Sequence, residues 1–244
     1  MDPITIVTGG TRGIGASVAR RLATEGHTLV LGYAHDDGAA RDLSDELTEQ
    51  TPVRLVRSDI TTDRGVEALY EAAAELGEVT GLVNNAGATL HLGTLATTPT
   101  ATVRAVVDLN LTAAVLCARR AVIAFEEAGT PGTIVNVSSV AAATGSPGEY
   151  VHYAAAKAGI DALTYGLAKE TAALGIRVVG VAPGMVETRI HADAGDPDRL
   201  ERLAGRIPMG RVGVPDDIAS AIAWLLTDEA SYITGTTLRV AGGL

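Results

Sequence analysis

Cysteine and lysine are scarce in this sequence of 244 residues, and basic residues are outnumbered by acidic ones. The single cysteine, Cys117, excludes a disulfide framework within the chain. Because it lies in the apolar stretch 113–118, it is predicted to be a core thiol rather than a nucleophile. The net charge of −10 argues against nucleic acid as a partner, since phosphate binding needs a basic face.

Long hydrophobic runs and targeting signals are also missing. No uninterrupted apolar run approaches the ~18 residues of a membrane-spanning helix. The first residues, Met1-Asp2-Pro3, lack the basic region of a signal peptide and lead directly into a strand-like segment. We therefore expect a cytoplasmic protein with no membrane and no nucleic-acid partner.

The first 32 residues predict a strand, a glycine-rich turn, a helix and a second strand. Residues 4–8 and 29–32 are the apolar strands, and apolar residues recur at helical spacing from Ile14, with Gly26 closing the helix. Such a βαβ unit can hold a dinucleotide pyrophosphate at the helix N-terminus. The spacing Gly9-x3-Gly13-x-Gly15 differs from G-x-G-x-x-G, so a glycine turn without a ligand remains an alternative.

Strands and helices alternate along the rest of the chain. Further strands are predicted at 53–56 with 58–60, and at 81–83, 133–137, 177–181 and 237–240. Helices are predicted at 39–49, 63–76 (capped by Asp63), 98–127, 153–174 and 215–227. No linker divides the chain. The prediction is one α/β domain over residues 1–244, a Rossmann-like, doubly wound parallel sheet of about seven strands with helices on both faces. The polar segment 187–211 is predicted to be a mobile lid, or else a pair of short helices.

Tyr153 and Lys157 lie one helical turn apart and on the same face of their predicted helix. A positive charge about 4 Å from a phenol favours the phenolate by on the order of 4 kcal/mol, offset by desolvation. The pair therefore predicts a proton donor or acceptor. Small polar residues follow two strands, at 84–87 and at 138–139, where open α/β sheets bind ligands. Asn110 is a polar residue within the apolar stripe of its predicted helix. It is either a structural hydrogen-bonding residue or a residue held there for chemistry.

Six motifs in order resemble those of the classical short-chain dehydrogenases/reductases, and the resemblance covers essentially the whole chain. They are the T-G-x3-G-x-G turn at 8–15, N-N-A-G at 84–87, the helix Asn110, a Ser after the fifth strand, Tyr153-x3-Lys157, and P-G-x3-T formed by Pro183, Gly184 and Thr188. The resemblance implies an enzyme of the EC 1.1.1 type, which transfers a hydride between a nicotinamide and a carbonyl or secondary alcohol carbon.

The resemblance also assigns catalytic roles. Tyr153 would be the general acid or base, Lys157 would lower its pKa and bind the nicotinamide ribose, Ser139 would hold the substrate oxygen, and Asn110 would position a water of a proton relay. Relatives commonly place the serine 13 positions before the tyrosine, whereas Ser139 lies 14 and Ser138 lies 15 positions before it. Ser138 therefore remains an alternative to Ser139. Tyr150, with Ala154 at +4, is predicted to line the pocket.

NADP(H) is favoured over NAD(H) as cofactor. Relatives that prefer NAD usually end the second strand with an Asp, but this chain has Tyr33 there, and Arg12 can pair with a 2′-phosphate. Asp36 and Asp37 would repel that phosphate. The resemblance places the following residues at the cofactor: Gly9, Thr11, Arg12, Gly13, Ile14, Gly15, Tyr33, Asp59, Ile60, Asn85, Ala86, Gly87, Tyr153, Lys157, Pro183, Gly184, Val186 and Thr188.

The expected substrate is a small ketone or a 3-oxoacyl thioester. The segment 207–211 resembles that of oxoacyl-carrier-protein reductases and of glucose and polyol dehydrogenases, and Arg189, Arg199, Arg202 and Arg206 would form a local basic patch for an acidic carrier. The alternatives are an NAD-dependent sugar, polyol or steroid alcohol dehydrogenase and a non-catalytic nucleotide-binding sensor. The resemblance implies a homotetramer. No metal is expected, because His91, His152 and His191 lack metal-ligand spacing and are predicted to be loop histidines.

Overall fold

The computed structural model describes residues 2–244 and contains one seven-stranded parallel sheet. The strands are β1 (Ile4–Thr8), β2 (Thr28–Tyr33), β3 (Val53–Arg57), β4 (Val79–Asn84), β5 (Thr133–Val137), β6 (Arg177–Pro183) and β7 (Thr237–Val240). Their order across the sheet is β3-β2-β1-β4-β5-β6-β7, and every neighbouring pair is parallel. The predicted doubly wound parallel sheet is confirmed.

Helices cover both faces of the sheet. They are α1 (Gly13–Thr24), α2 (Asp37–Thr48), α3 (Asp63–Ala74), α4 (Thr100–Val107), α5 (Ala113–Ala128), α6 (Ala141–Thr144), α7 (Val151–Thr171), α8 (Arg199–Leu203) and α9 (Pro215–Leu226). Successive strand residues point to opposite faces, so Val7 packs with α1, α2 and α9 while Ile6 packs with α3, α5 and α7. Cys117 is fully buried in the second core, where burial raises its pKa to about 12, so the predicted core thiol is confirmed.

The sheet changes direction between β1 and β4. From β1 the chain moves outward to β2 and β3, and it then returns to place β4 on the other side of β1. Thr8 and Asn85 join the two strand ends: the Thr8 hydroxyl accepts from the Asn85 backbone N–H at 3.0 Å, and the Asn85 amide donates to the Thr8 carbonyl at 2.9 Å. Ligands of open α/β sheets bind in the crevice at such a point.

Three local predictions need correction. Thr62, not Asp63, caps α3, since its hydroxyl accepts from the Gly65 N–H at 3.1 Å. Residues 58–60 lie beyond β3, where the Asp59 carboxylate folds back to bind the Thr61 N–H at 3.0 Å. The stretch between β5 and the predicted helix 153–174, for which no element was predicted, contains the short helix α6, because alanines at 141–143 favour helix up to Gly145, which has φ +72°.

The long helix predicted at 98–127 is divided by a π-turn. Residues Asp108–Thr112 separate α4 from α5, and the Ala113 N–H donates to the Asp108 carbonyl five residues earlier. The whole stretch Thr100–Ala128 is long and apolar enough, by length and composition, to cross a membrane, so the apolar-run argument made from the sequence does not hold for it. The core helix of a soluble protein passes the same test, and Ala113, Cys117 and Phe125 of this stretch lie in the protein core.

Candidate active site

Tyr153 and Lys157 lie side by side on α7, as their spacing predicted. Both side chains are buried, at 7% and 4% exposed, and Lys157 Nζ lies 5.7 Å from the centroid of the Tyr153 ring. The ammonium donates a 2.7 Å hydrogen bond to the carbonyl of Val137, the last residue of β5. That bond holds the lysine at the carboxyl end of the strand.

The electrostatics of this pair differ from the prediction. Burial raises the pKa of Tyr153 well above its usual value, the nearby Tyr150 adds to this, and the polar Ser139 side chain opposes it. The expected lowering by Lys157 is not found. Burial instead lowers the pKa of Lys157 itself to about 8, against a smaller opposing effect of Asp161. Desolvation thus dominates over the charge of Lys157, and the phenol stays neutral over a wide pH range.

The lowered pKa of Lys157 predicts a pH-dependent stability. Below pH 8 the folded and unfolded states both carry the proton, and the cost of burying the charge is fully present. Between pH 8 and about pH 10 the folded state loses the proton first, so the free energy of unfolding rises. Over this range we expect the free energy of unfolding of wild type, measured by denaturant titration, to rise by on the order of 3 kcal/mol relative to that of Lys157→Met. A constant difference between the two proteins from pH 7 to pH 10 would contradict this.

The two serines after β5 point to different partners. Ser138 is buried, and its hydroxyl donates to the backbone carbonyl of Lys157 at 3.3 Å. Ser139 is partly exposed and accepts a bond from the Ala141 N–H at 3.1 Å, and its side chain lies near enough to the Tyr153 hydroxyl to lower the pKa of that phenol. The geometry therefore brings Ser139, and not Ser138, to the phenol.

Asn110 reaches the site because of the π-turn. Its side-chain amide donates at 2.8 Å to the carbonyls of Val106, one turn earlier in the helix, and of Ala88, in the loop after β4. Its Oδ1 atom is buried and has no hydrogen-bond partner. A Cβ built on Gly87 would lie 2.7 Å from that oxygen and 3.4 Å from Lys157 Nζ. Asn110 and Lys157 thus approach one another around Gly87.

The glycine turn leaves the start of α1 open. No side chain caps α1, and no acidic residue lies in its first turn, whereas α2 and α3 are capped by Asp36 and Thr62. The free N–H groups and the helix dipole suit an anion. A Cβ on Gly15 would lie 2.1 Å from the Gly9 carbonyl oxygen, so only glycine fits there. These features fit a dinucleotide pyrophosphate.

Two arginine–aspartate pairs flank the end of β2. Arg12 lies 3.6 Å from Asp36, and Arg57 lies 3.2 Å from Asp37, all four side chains being well exposed. The sequence reading overlooked Arg57. The signal was its position at the end of β3, which the parallel register places directly beside Tyr33. Exposed pairs of this kind contribute only about 0–1 kcal/mol, so either guanidinium can exchange its partner for another anion.

The remaining cofactor candidates lie on the rim of the same crevice. A Cβ on Gly13 would contact Thr188 Cγ2 at 3.4 Å, which brings the stretch after β6 against the glycine turn. Gly184 contacts Ala241 closely, and Val186 forms a bridge with Gly213. Ile60 is buried beside the turn that Asp59 forms with Thr61.

The predicted basic patch of the segment 187–211 is largely neutralised, since three of its four arginines are paired with carboxylates. Arg199 is buried against Glu149, and Arg189 and Arg202 pair with Asp193 and Asp196. The segment forms α8 and a short 3₁₀ turn at 204–206.

The histidine prediction is also corrected at one position. His152 is a buried residue in the first turn of α7, not a loop histidine, and its Nε2 lies 3.4 Å from the Thr89 carbonyl oxygen. Burial lowers its pKa, and it lowers that of His191 to about 4. Among residues 2–244, no group of three or more His, Cys, Asp or Glu side chains could hold a metal ion.

Comparison with known proteins identifies the family. The family model described as enoyl-(acyl carrier protein) reductase matches residues 9–244. The chain is 43% identical to the uncharacterized oxidoreductase YgfF of Escherichia coli (strain K12), over 98% of this chain and 99% of that protein. It is also 38% identical to the 3-oxoacyl-[acyl-carrier-protein] reductase FabG of Salmonella typhimurium, over 99% of this chain and 96% of that protein. The chain is a short-chain dehydrogenase/reductase.

Other relatives of this short-chain dehydrogenase/reductase are named after different substrates. The 3beta-hydroxysteroid dehydrogenase 1 of Eggerthella lenta is 40% identical over 98% of this chain and 92% of that protein. The crystal structure of a levodione reductase matches with a TM-score of 0.91 at 30% identity, over 100% of this chain and 97% of that one. The protein is thus an oxidoreductase of a family that uses NAD(P), and the fold is the family's own.

Proposed function

We propose that this enzyme is an NADP(H)-dependent reductase of a small ketone. The observation that carries the proposal is the buried Tyr153, whose phenol is held neutral by burial, with Ser139 near its hydroxyl and Lys157 one turn away. A phenol that keeps its proton is suited to donate it to a developing alkoxide, which is the reductive direction. NADPH, when bound, supplies the hydride.

The chain's own residues would hold the carbonyl oxygen and move one proton. Ser139 and Tyr153 both offer an O–H to the carbonyl oxygen, so negative charge on that oxygen is stabilised as it develops. Tyr153 then transfers its proton to the oxygen. Lys157 Nζ and the free oxygen of Asn110 both lie close to Gly87, and a water between them would return a proton from solvent.

The preference for NADP(H) rests on the two guanidinium groups at the end of β2. Arg12 and Arg57 face the position where the adenosine ribose of the cofactor would lie, and a 2′-phosphate would compete with Asp36 and Asp37 for them. No carboxylate ends β2, where Tyr33 stands. The backbone of 8–15 would hold the pyrophosphate, and Asn85 to Gly87, Pro183, Gly184, Val186 and Thr188 would surround the nicotinamide end.

A substrate panel with both cofactors tests the proposal. Linear and cyclic ketones, acetoacetyl-CoA and aldoses are assayed with NADPH and NADH, or their oxidised forms. We expect the highest kcat/KM with NADPH and a ketone, and Arg12→Leu or Arg57→Leu to lower kcat/KM for NADPH about ten-fold while sparing NADH. Arg54→Leu is the matched control, since Arg54 is an exposed, ion-paired arginine of the same strand as Arg57. NADH used at least as well as NADPH would contradict the cofactor assignment.

A carrier-protein thioester is the less favoured substrate. Three of the four arginines expected to bind an acidic carrier are paired with Glu149, Asp193 and Asp196. A thioester of coenzyme A stays in the panel, because an acetoacetyl-CoA reductase of Shinella zoogloeoides is 35% identical over the whole chain.

A second candidate is the oxidation of a cyclic secondary alcohol. Two relatives at 40–41% identity are named a 3beta-hydroxysteroid dehydrogenase and a cis-4-hydroxycyclohexanecarboxylate dehydrogenase. Adding cyclic alcohols with NAD and NADP to the panel separates this candidate from the first.

We also propose a cytoplasmic homotetramer whose chains each fold as one domain. The single sheet runs from residue 4 to residue 240, and α5 and α7 leave Val115 and Tyr165 exposed on their outer faces. Apolar faces on neighbouring helices suit pairing with a second copy. Light scattering of the protein in solution measures the number of chains. The segment 187–211 is proposed to act as a lid over the substrate.

A further inference from the structure

Arg199 is a buried charge that the proton transfer described above does not use. Among residues 2–244, Lys157 and Arg199 are the only Lys, Arg, Asp or Glu side chains that are buried, both at 4% exposed. Burying a guanidinium costs several kcal/mol unless its partners are well placed. Lys157 has a role beside Tyr153, so the question is what Arg199 holds.

Glu149 is the charged partner of Arg199. Nη1 donates to Oε1 at 3.0 Å and Nη2 to Oε2 at 2.6 Å, a bidentate pair between α8 and the loop that precedes α7. Paired N–H donors in this fixed geometry give directional as well as electrostatic stabilisation. The pair therefore fixes both the distance and the orientation of α8 relative to that loop.

This ion pair is the one that ties residues 187–206 to the rest of the described chain. The pairs Arg189–Asp193 and Arg202–Asp196 lie within the segment. Arg211, further on, pairs with Asp217 of α9. Loss of the Arg199 contact would thus leave the segment without an ion pair to the wall of the site, so that the hydrogen bond from the Thr89 hydroxyl to the Ile190 carbonyl at 3.3 Å would have to hold it there.

The contact continues from Arg199 to the phenol of the site. Arg199 Nη2 donates to the Tyr150 hydroxyl at 3.2 Å, and its guanidinium carbon lies 5.2 Å from the centre of the Tyr150 ring. The Tyr150 ring meets the Tyr153 ring edge to face, with centroids 5.4 Å apart at 88°. Such aromatic pairs contribute about 0.5–1.5 kcal/mol beyond burial and favour one relative orientation.

We propose that Arg199 is a positioning residue: through Glu149 it fastens the lid segment 187–206 over the site, and through Tyr150 it fixes the orientation of the Tyr153 ring. The inference rests on the proposed role of Tyr153. Fastening the lid and orienting the phenol then become one event, so proton transfer is favoured only when the segment is in place. A displacement of about 1 Å at a reacting group can cost up to 10²-fold in rate.

The two halves of the proposal predict different kinetic effects. Arg199→Met keeps an apolar stem but removes both contacts, and Glu149 remains partly hydrated, so the variant is expected to fold. It should lower kcat about ten-fold or more, raise KM, and speed backbone hydrogen exchange at 187–206. Tyr150→Leu should lower kcat similarly with KM little changed and the exchange of 187–206 unaltered. Tyr150→Phe, which keeps the ring, should lower kcat less than Tyr150→Leu does.

Arg202→Met is the matched control, because Arg202 lies on the same helix in an exposed pair within the segment. It should leave kcat, KM and exchange unchanged, measured with the best ketone of the panel and NADPH. Thermal unfolding identifies any variant that fails to fold, in which case Arg199→Lys, which retains the charge but not the bidentate geometry, replaces Arg199→Met.

Two outcomes overturn the proposal. Unchanged exchange at 187–206 in Arg199→Met would show that the ion pair does not fasten the segment, and unchanged kcat in Tyr150→Leu would show that Tyr150 does not position the phenol. Failure of the proposed function looks different. In that case Tyr153→Phe would turn over the same ketone as fast as wild type, while the exchange measurement would still decide whether Arg199 fastens the segment.

Discussion

Replacing Tyr153 with phenylalanine is expected to lower kcat for ketone reduction by about 10²- to 10⁴-fold, the range contributed by a positioned general acid. The change removes only the phenol hydroxyl, whose pKa the nearby Ser139 side chain lowers against the effect of burial. The ring still packs against Tyr150, so the fold and the NADPH Kd should change little. Steady-state kinetics and fluorescence titration with NADPH measure the two effects separately.

The chain supplies its own control for this substitution. Tyr165 and Lys169 repeat the Tyr-x3-Lys spacing on the same helix, but Tyr165 is 56% exposed and its hydroxyl accepts a 2.7 Å bond from Lys169. That bond lowers the pKa of Tyr165, whereas burial raises that of Tyr153. Tyr165→Phe should therefore leave kcat unchanged within about two-fold. A Tyr153→Phe enzyme as active as Tyr165→Phe would remove Tyr153 from the mechanism.

Gly15→Ala is expected to abolish tight cofactor binding. The added methyl would lie 2.1 Å from the Gly9 carbonyl oxygen and 2.6 Å from the Asn85 amide nitrogen, so the turn and the start of α1 must move. Overpacking of this kind costs about 1–3 kcal/mol of stability. Because the same backbone would hold the pyrophosphate, the Kd for NADPH should rise about 10²-fold or more, as measured by isothermal titration calorimetry.

Gly38→Ala is the control for the cofactor turn. It lies in α2, and its added methyl would meet no atom closer than 3.7 Å. Alanine favours a helix over glycine, so this variant should match or slightly exceed the wild-type Tm and bind NADPH normally. An unchanged NADPH Kd in Gly15→Ala would refute the assignment of the turn to the cofactor.

The sheet could be predicted because its five central strands, β2, β1, β4, β5 and β6, are buried on both faces. Each is a short, β-branched apolar run, and the helices between them have a clear 3.6-residue period, so the alternation identified the fold without tertiary information. The exceptions are local. Thr62 and Asp63 can each cap a helix, and only the backbone conformation decides between them. The π-turn at Asp108–Thr112 has no period of its own that a helix pattern would reveal.

For the candidate site, too, local sequence patterns could be predicted, whereas contacts between distant residues could not. The residues able to do the chemistry could be picked out in advance, since the Tyr153–Lys157 spacing, the glycine turn and the strand-end Ser and Asn residues are local patterns. Burial, partner choice and the sign of a pKa shift depend on residues far apart in the chain, so they could be read only from the folded chain. It separated Tyr153 from the equally spaced Tyr165, and Ser139 from Ser138. It also turned the Arg199 of a predicted surface patch into a buried partner of Glu149, because a guanidinium removed from water is held by whichever carboxylate the fold brings to it.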